Sequence, residues 1–233
     1  MQAFDQQGPS LRNLEKTDYI MNKLLFGVAA MAAIVIASNI LVQFLLLDGL
    51  LTWGAFTYPL AFLVTDLMNR IYGATEARRV VFSGFFTGIV CSLIGSQIML
   101  SGDGYEYPAV AVRVAVGSGA AFLVAQLTDV FVFDRLREST WWRAPLASTM
   151  IGSVIDTALF FTIAFSASVQ FFSESANNEI SWAWGPSPLL TVGPDVPLWV
   201  SLAIADWAVK LAIALLALIP FRILVNRIFA NVE

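Results

Sequence analysis

The chain has no histidine, one cysteine and few charges. Without histidine there is no Ser-His-Asp triad and the usual general base is missing. With Cys91 alone, no internal disulfide and no Cys/His metal site can form, so no cofactor is expected. Charged residues make up 13% of the 233 positions, about half the share found in soluble domains, which is about 25%. The net charge of -4 supplies no basic face for nucleic acid. What fills the chain instead is apolar: 58% of residues, with a mean hydropathy of +0.74. These values describe an all-α integral membrane protein in contact with the lipid bilayer.

Six apolar stretches follow one another. Residues 1–23 are polar and read as a cytoplasmic tail. Leu24–Leu47 is longer than the about 7–15 residues of a signal core and meets the about 20 needed to cross hydrocarbon. Asn39 and Gln43 make a polar stripe on it, and Asp48-Gly49 a turn. The second stretch, Leu51–Tyr72, contains Pro59, which removes a backbone hydrogen bond and kinks the helix. Thr75–Arg79 reads as a short basic loop. Val80–Leu100 carries Gly84, Gly88, Ser92 and Ser96 every fourth residue, a small-residue face that permits close packing. That face fits either a contact inside one subunit or the seam of a homodimer. Ala109–Phe133, Leu146–Phe172 and Leu198–Ile219 complete the set, with Asp134–Arg143 as a second basic loop. The transmembrane domain is therefore 24–223, with a long outer loop at 173–197 and a tail at 224–233.

Of the 13 Lys and Arg residues, all but Arg113 and Lys210 lie in or within a few residues of the N-terminal tail, the two basic loops and the C-terminal tail, Arg70 and Arg222 being at the adjoining span ends. The excess of cations on the cytoplasmic side then places both termini inside. Arg113, at the start of the fourth span, is expected to snorkel outward. Trp182 and Trp184, in the outer loop, are placed to gate an entrance.

Polar residues inside apolar helices are costly and mark candidate sites. Here they are Asp66, Asn69, Gln126, Asp129, Asp156, Asp206 and Lys210. The topology puts them at similar depth, so four helices can direct acids and amides at one cavity. A carboxylate accepts a fork of two N–H groups, and Asn69 and Gln126 each offer a donor and an acceptor. This suits a flat polar heterocycle without choosing one. Each residue also has a plainer reading. Asp206 and Lys210, or Asp66 and Arg70, can pair at i, i+4, and Asp129 can pair with Arg135 or Arg137. The segment Leu63–Arg70 echoes Gln126–Arg135, each closing a span before a basic loop; this fits either an old duplication, as in transporters built from repeats, or chance in apolar sequence of low diversity.

The stretch YPLAFLVTDLMNRIYGATEARRV, from Tyr58 to Val80, resembles the signature of the queuosine precursor transporter (VUT) family. Pro59, Thr65-Asp66, Asn69, Tyr72-Gly73 and Ala77–Val80 carry the match. Gln126, Asp129, Val130, Val132 and Phe133 carry a second segment, and Ile155-Asp156-Thr157 with Leu159-Phe160 a third. The sequence departs from the family pattern at Arg70, where an acid is usual. The resemblance covers about Leu24 to Ile223. It implies a multi-pass inner-membrane importer of 7-cyano-7-deazaguanine or 7-aminomethyl-7-deazaguanine, precursors of the tRNA base queuosine. On this view Asp156 or Asp66 accepts the guanine-type fork, Asn69 and Gln126 read the remaining edge, and Asp129, Asp206 and Lys210 support the site or relay protons.

Three other readings stand beside it. One is the substrate-binding subunit of an energy-coupling vitamin or nucleobase transporter. A membrane enzyme lacks a recognisable nucleophile here, and an assembly protein has no need of several acids at one depth. Topology is open to direct test: alkaline phosphatase inserted in 173–197 should be active outside the cell, and a phosphatase that is silent there overturns the arrangement.

Overall fold

The computed structural model describes residues 11–41, 44–47, 49–102 and 104–230. Gln43, Asp48 and the first ten residues lie outside the described residues. Among the described residues, five helices are long and apolar enough to cross a bilayer: α1 (Leu11–Leu41, apolar from Leu24), α4 (Ala74–Gly95), α5 (Val112–Leu136), α6 (Arg143–Phe165) and α8 (Leu198–Ala230). Between α1 and α4 lie a one-turn helix α2 (Gly54–Thr57) and the shorter α3 (Leu60–Tyr72). Tyr58 and Pro59, between them, keep helical backbone angles. The pieces therefore form one kinked stretch of roughly 28 Å at 1.5 Å per residue. The large exposed side chains on the long helices, such as Phe26, Phe86, Leu93, Phe131, Leu215 and Leu216, are apolar, as a lipid-facing surface requires. The chain is an all-α membrane protein.

Element ends differ from the sequence reading in several places, each for a local reason. α1 stops at Leu41, and a small hairpin follows, β1 (Leu45–Leu46) with β2 (Leu51–Thr52). The basic stretch Thr75–Arg79 is not a loop but the first turns of α4. Gly73, at φ +94°, turns the chain alone and serves as the boundary of both α3 and α4. Glu76 in that first turn favours the positive helix end and pairs with Arg79 at 2.9 Å. α6 begins at Arg143 with Pro145 in its first turn, where proline is tolerated. α8 runs on through Pro220, so Arg222 and Arg227 are helical.

α6 also ends at Phe165 rather than near Phe172, and Arg113 accounts for it. This arginine does not snorkel. It is fully buried and donates to the carbonyls of Ile163 (2.9 Å) and Ser166 (2.7 Å) and to Asn177 Oδ1 (2.8 Å). It thus satisfies orphan carbonyls at the α6 C-terminus and fastens the next segment. That segment, 173–197, is folded: helix α7 (Glu174–Asn178), two short 3-10 turns and the hairpin β5 (Pro186–Pro188) with β6 (Asp195–Pro197). Ile180 and Ala183 from it are buried against Phe161, Ala164 and Phe165 of α6. A further hairpin, β3 (Met99–Gly102) with β4 (Tyr105–Pro108), joins α4 to α5.

The main core lies among α1, α3, α4 and α5, around Met31, Ala61, Met68, Val80, Phe122 and Val130. Gly84 and Gly88 belong to it: a side chain at Gly84 would strike Met31 and Phe122, and one at Gly88 would touch Val35. These two members of the small-residue face are occupied within the subunit. The tightest helix contact is between α5 and α6 at Gly117, where an added Cβ would lie 3.1 Å from Ala164 N and 3.2 Å from Phe160 O. Backbone cannot yield as a flexible side chain can. Gly117→Leu should therefore lower the detergent unfolding midpoint, by the equivalent of about 1–3 kcal/mol for overpacking. Gly119→Leu, which meets only a Phe85 ring atom at 3.6 Å, should leave it nearly unchanged.

Candidate functional site

The seven intramembrane polar residues divide into two clusters rather than meeting in one cavity. The first joins α6, α8 and the α2–α3 link. Lys210 Nζ lies 2.6 Å from Asp156 Oδ2 and 2.5 Å from Asp206 Oδ2. Asp206–Lys210 is thus the expected i, i+4 pair, but α6 supplies a second carboxylate. Thr157 Oγ1 donates to Asp206 Oδ2 at 3.0 Å and lies 3.1 Å from the Lys210 ammonium. Tyr58 donates its hydroxyl to Asp156 Oδ1 at 3.1 Å, and its ring faces Lys210 at 5.6 Å. One ammonium between two carboxylates leaves the cluster with a formal charge of about -1, largely removed from water.

This cluster forms part of the wall of a cavity of about 490 Å³, within the about 300–1,000 Å³ usual for small-molecule sites. Phe160, Phe161 and Phe165 of α6 supply flat apolar surface, and Ser38 and Asn39 of α1 supply polar edges. Trp182 and Glu179, from the folded segment 173–197, complete the rim on the side away from the basic ends. Glu179 Oε2 is enclosed with no hydrogen-bond partner. Trp184 does not line this cavity; its indole donates to Phe165 O at 2.7 Å. Asp156 accepts one bond on each oxygen, so each retains a lone pair for a further donor.

The second cluster lies nearer the basic ends. Asp66 on α3 accepts from Ser148 Oγ (3.0 Å) and Thr149 Oγ1 (3.2 Å) of α6. Its expected partner Arg70 instead donates to Arg137 O at 2.7 Å and stacks over Phe133. Asn69 is fully buried; its amide donates to Val130 O at 3.0 Å and its carbonyl accepts from Arg137. Gln126 accepts from Thr65 at 2.6 Å, and its Nε2 has no partner. Asp129 pairs with neither Arg135, which stacks over Phe131, nor Arg137, which binds Asp134. Asn69, Gln126 and Asp129 are fully buried and do not reach the large cavity.

Sequence reasoning did not single out Tyr58, Ser148 or Glu179. Tyr58 had a readable signal, because a tyrosine hydroxyl inside a membrane helix needs a partner. Ser148 directly precedes Thr149 on α6, where Thr149, Ser153, Asp156 and Thr157 make a polar stripe. Glu179 gave none, since its position depends on how segment 173–197 folds.

Lys210 is the residue whose loss leaves most uncompensated. Lys210→Met strands two carboxylates, and breaking a buried pair costs about 3–5 kcal/mol. The full chain carrying it should unfold well below wild type in detergent. Adding Asp156→Asn and Asp206→Asn should recover much of the loss, and no recovery would show that the charges are not the cause.

Comparison with known proteins places the chain among transporters. Residues 52–225 match the family described as "Putative vitamin uptake transporter". The queuosine precursor transporter of Escherichia coli (strain K12) is 34% identical over 215 residues, covering 88% of this chain and 87% of that protein. The probable queuosine precursor transporter of Haemophilus influenzae is 33% identical over 190 residues, covering 78% and 72%. The probable queuosine precursor transporter of Bacillus subtilis (strain 168) is 26% identical over 196 residues, covering 78% and 74%. No solved structure matches the chain.

Proposed function

The chain belongs to this vitamin uptake transporter family of multi-pass bacterial membrane proteins, and we propose that it imports the queuosine precursors 7-cyano-7-deazaguanine and 7-aminomethyl-7-deazaguanine across the inner membrane. It is a transporter of queuosine precursors rather than an enzyme; the choice of deazapurine and the binding residues are the finer part of the proposal. The observation that carries it is the Asp156–Lys210–Asp206–Tyr58 cluster on the wall of a cavity of about 490 Å³.

Asp156 accepts the ring N–H and exocyclic amine of the deazaguanine through its free lone pairs. Phe160 and Phe161 stack on the flat ring, a contact that adds to area burial. Lys210 gives up its bond to Thr157 to donate toward the ring carbonyl while holding the two carboxylates in place. Glu179, at the rim, meets the ammonium of the aminomethyl precursor. In this arrangement Asn69, Gln126 and the Asp66–Ser148–Thr149 group support the floor rather than touch solute. The six-helix arrangement with both termini in the cytoplasm, read from the distribution of cations, makes the rim the outer entrance.

Rescue tests the proposal. In cells that neither make nor import queuosine precursors, expression of this chain with supplied 7-cyano-7-deazaguanine should restore queuosine in tRNA. Asp156→Asn, at equal membrane abundance, should abolish the rescue. Unaltered rescue by that variant removes Asp156 from the site, and no rescue with either precursor from well-inserted protein removes the substrate assignment.

A further inference from the structure

Asp129 is a buried acid that the cavity does not use. Its side chain is fully enclosed and neither carboxyl oxygen holds a hydrogen bond, although the Ser148 hydroxyl that bonds Asp66 stands close enough to turn to it. Asp66, 3% exposed, is its neighbour on α3: the bonds Thr65–Gln126 (2.6 Å) and Asn69–Val130 O (3.0 Å) tie α3 to α5 on either side of the two acids. The surroundings can be taken element by element. From α6, Ser148 and Thr149 direct their hydroxyls at Asp66. From α5, Gln126 accepts from Thr65 of α3. From α8, the neighbouring void is lined by Ala214, Ala217, Leu218 and Phe221. The nearest cations turn elsewhere: Arg70 to Arg137 O, Arg137 to Asn69 and Asp134, and Lys210 to Asp156 and Asp206. Among the described residues neither Asp66 nor Asp129 has an ion-pair partner.

Two ionised carboxylates are acceptors only. Side by side in a buried site they repel, whereas one proton between them turns the contact into an O–H···O bond. We propose that Asp66 and Asp129 form a proton-binding site that couples solute import to inward movement of protons. In each cycle the pair takes one proton from the outer side and releases it to the inner side. The O–H bond is the only one made and broken, and the solute is unchanged. A proton fits the space better than a sodium ion. The adjoining void is about 10 Å³, at the lower limit for a single water.

The route from this pair to the cavity is short. Thr149, which bonds Asp66, and Asp156, which holds Lys210, share helix α6. Seven residues separate them, about 10 Å along the axis. Loss or gain of the proton changes what the near end of α6 bonds, and solute at Asp156 changes what its middle bonds. The echo between Leu63–Arg70 and Gln126–Arg135 gains a physical meaning, since its two Thr-Asp pairs supply the two carboxyls that meet.

The test uses the full chain in lipid vesicles and has two arms. Infrared spectroscopy at neutral pH should show the C=O stretch of a protonated carboxyl, which is lost in Asp129→Asn and in Asp66→Asn but kept in Asp156→Asn. An absent band, or one that survives both replacements, overturns the proton site. The second arm rests on the importer reading. With the membrane potential clamped, vesicles should accumulate 7-cyano-7-deazaguanine about tenfold for each unit of inside-alkaline pH gradient, for one proton per solute. Asp129→Asn should let solute equilibrate without accumulating. Exchange that ignores the pH gradient, or follows sodium alone, overturns the coupling. Failure of labelled and unlabelled deazaguanine to exchange at all overturns the importer reading instead, and the infrared band then decides the proton site.

Discussion

The ammonium of Lys210 holds the molecule together at its most polar point. It lies between carboxylates from two helices, α6 and α8, and accepts the ring of Tyr58 from a third element. Asp156 and Lys210 are buried, so loss of either leaves the other's charge unpaired. Apolar contacts between membrane helices discriminate weakly, because lipid tails are as apolar as leucine. A shared charge discriminates strongly: it fixes which faces of α6 and α8 meet and at which height. The cavity exists because those helices are held by their polar faces, with the aromatic face of α6 left free above the contact.

Polar groups below this point follow a different logic. Around Asp66, hydroxyls replace cations as partners, and the available arginines are drawn to backbone carbonyls, aromatic rings and Asn69 at the helix ends. The outcome is one cluster neutralised by a lysine and open to a cavity, and one with acids alone and closed. Asp66 and Asp156 look alike in the sequence, each a lone acid in an apolar helix. Their difference arises from neighbours contributed by other helices.

That contrast also shows how far the sequence reaches. Long apolar stretches and a helix break at the proline before Asp66 are local properties and are readable, whereas the shared depth expected of the acids gives way to two clusters. The pairing of Asp206 with Lys210, which lie one turn apart, is readable too. The sharing of Lys210 with Asp156 is not, because it depends on the rotation of α6 against α8. Arg113 was misread for the same reason: a cation near a helix start usually reaches for water, but here the carbonyls of Ile163 and Ser166 lie closer than solvent. The basic stretch Thr75–Arg79 reads as a loop, but Gly73, at positive φ, has already made the turn before it.

α3 is bounded by Pro59 at one end and Gly73 at the other, both places where the helical ladder is interrupted. Thirteen residues between two such breaks behave as a short rigid rod. Asp66 sits at its midpoint and Tyr58 just beyond its first break. Mechanically, α3 has the shape of a crankshaft: its two pins, Asp66 and Tyr58, bear on the same neighbouring helix α6 about two turns apart.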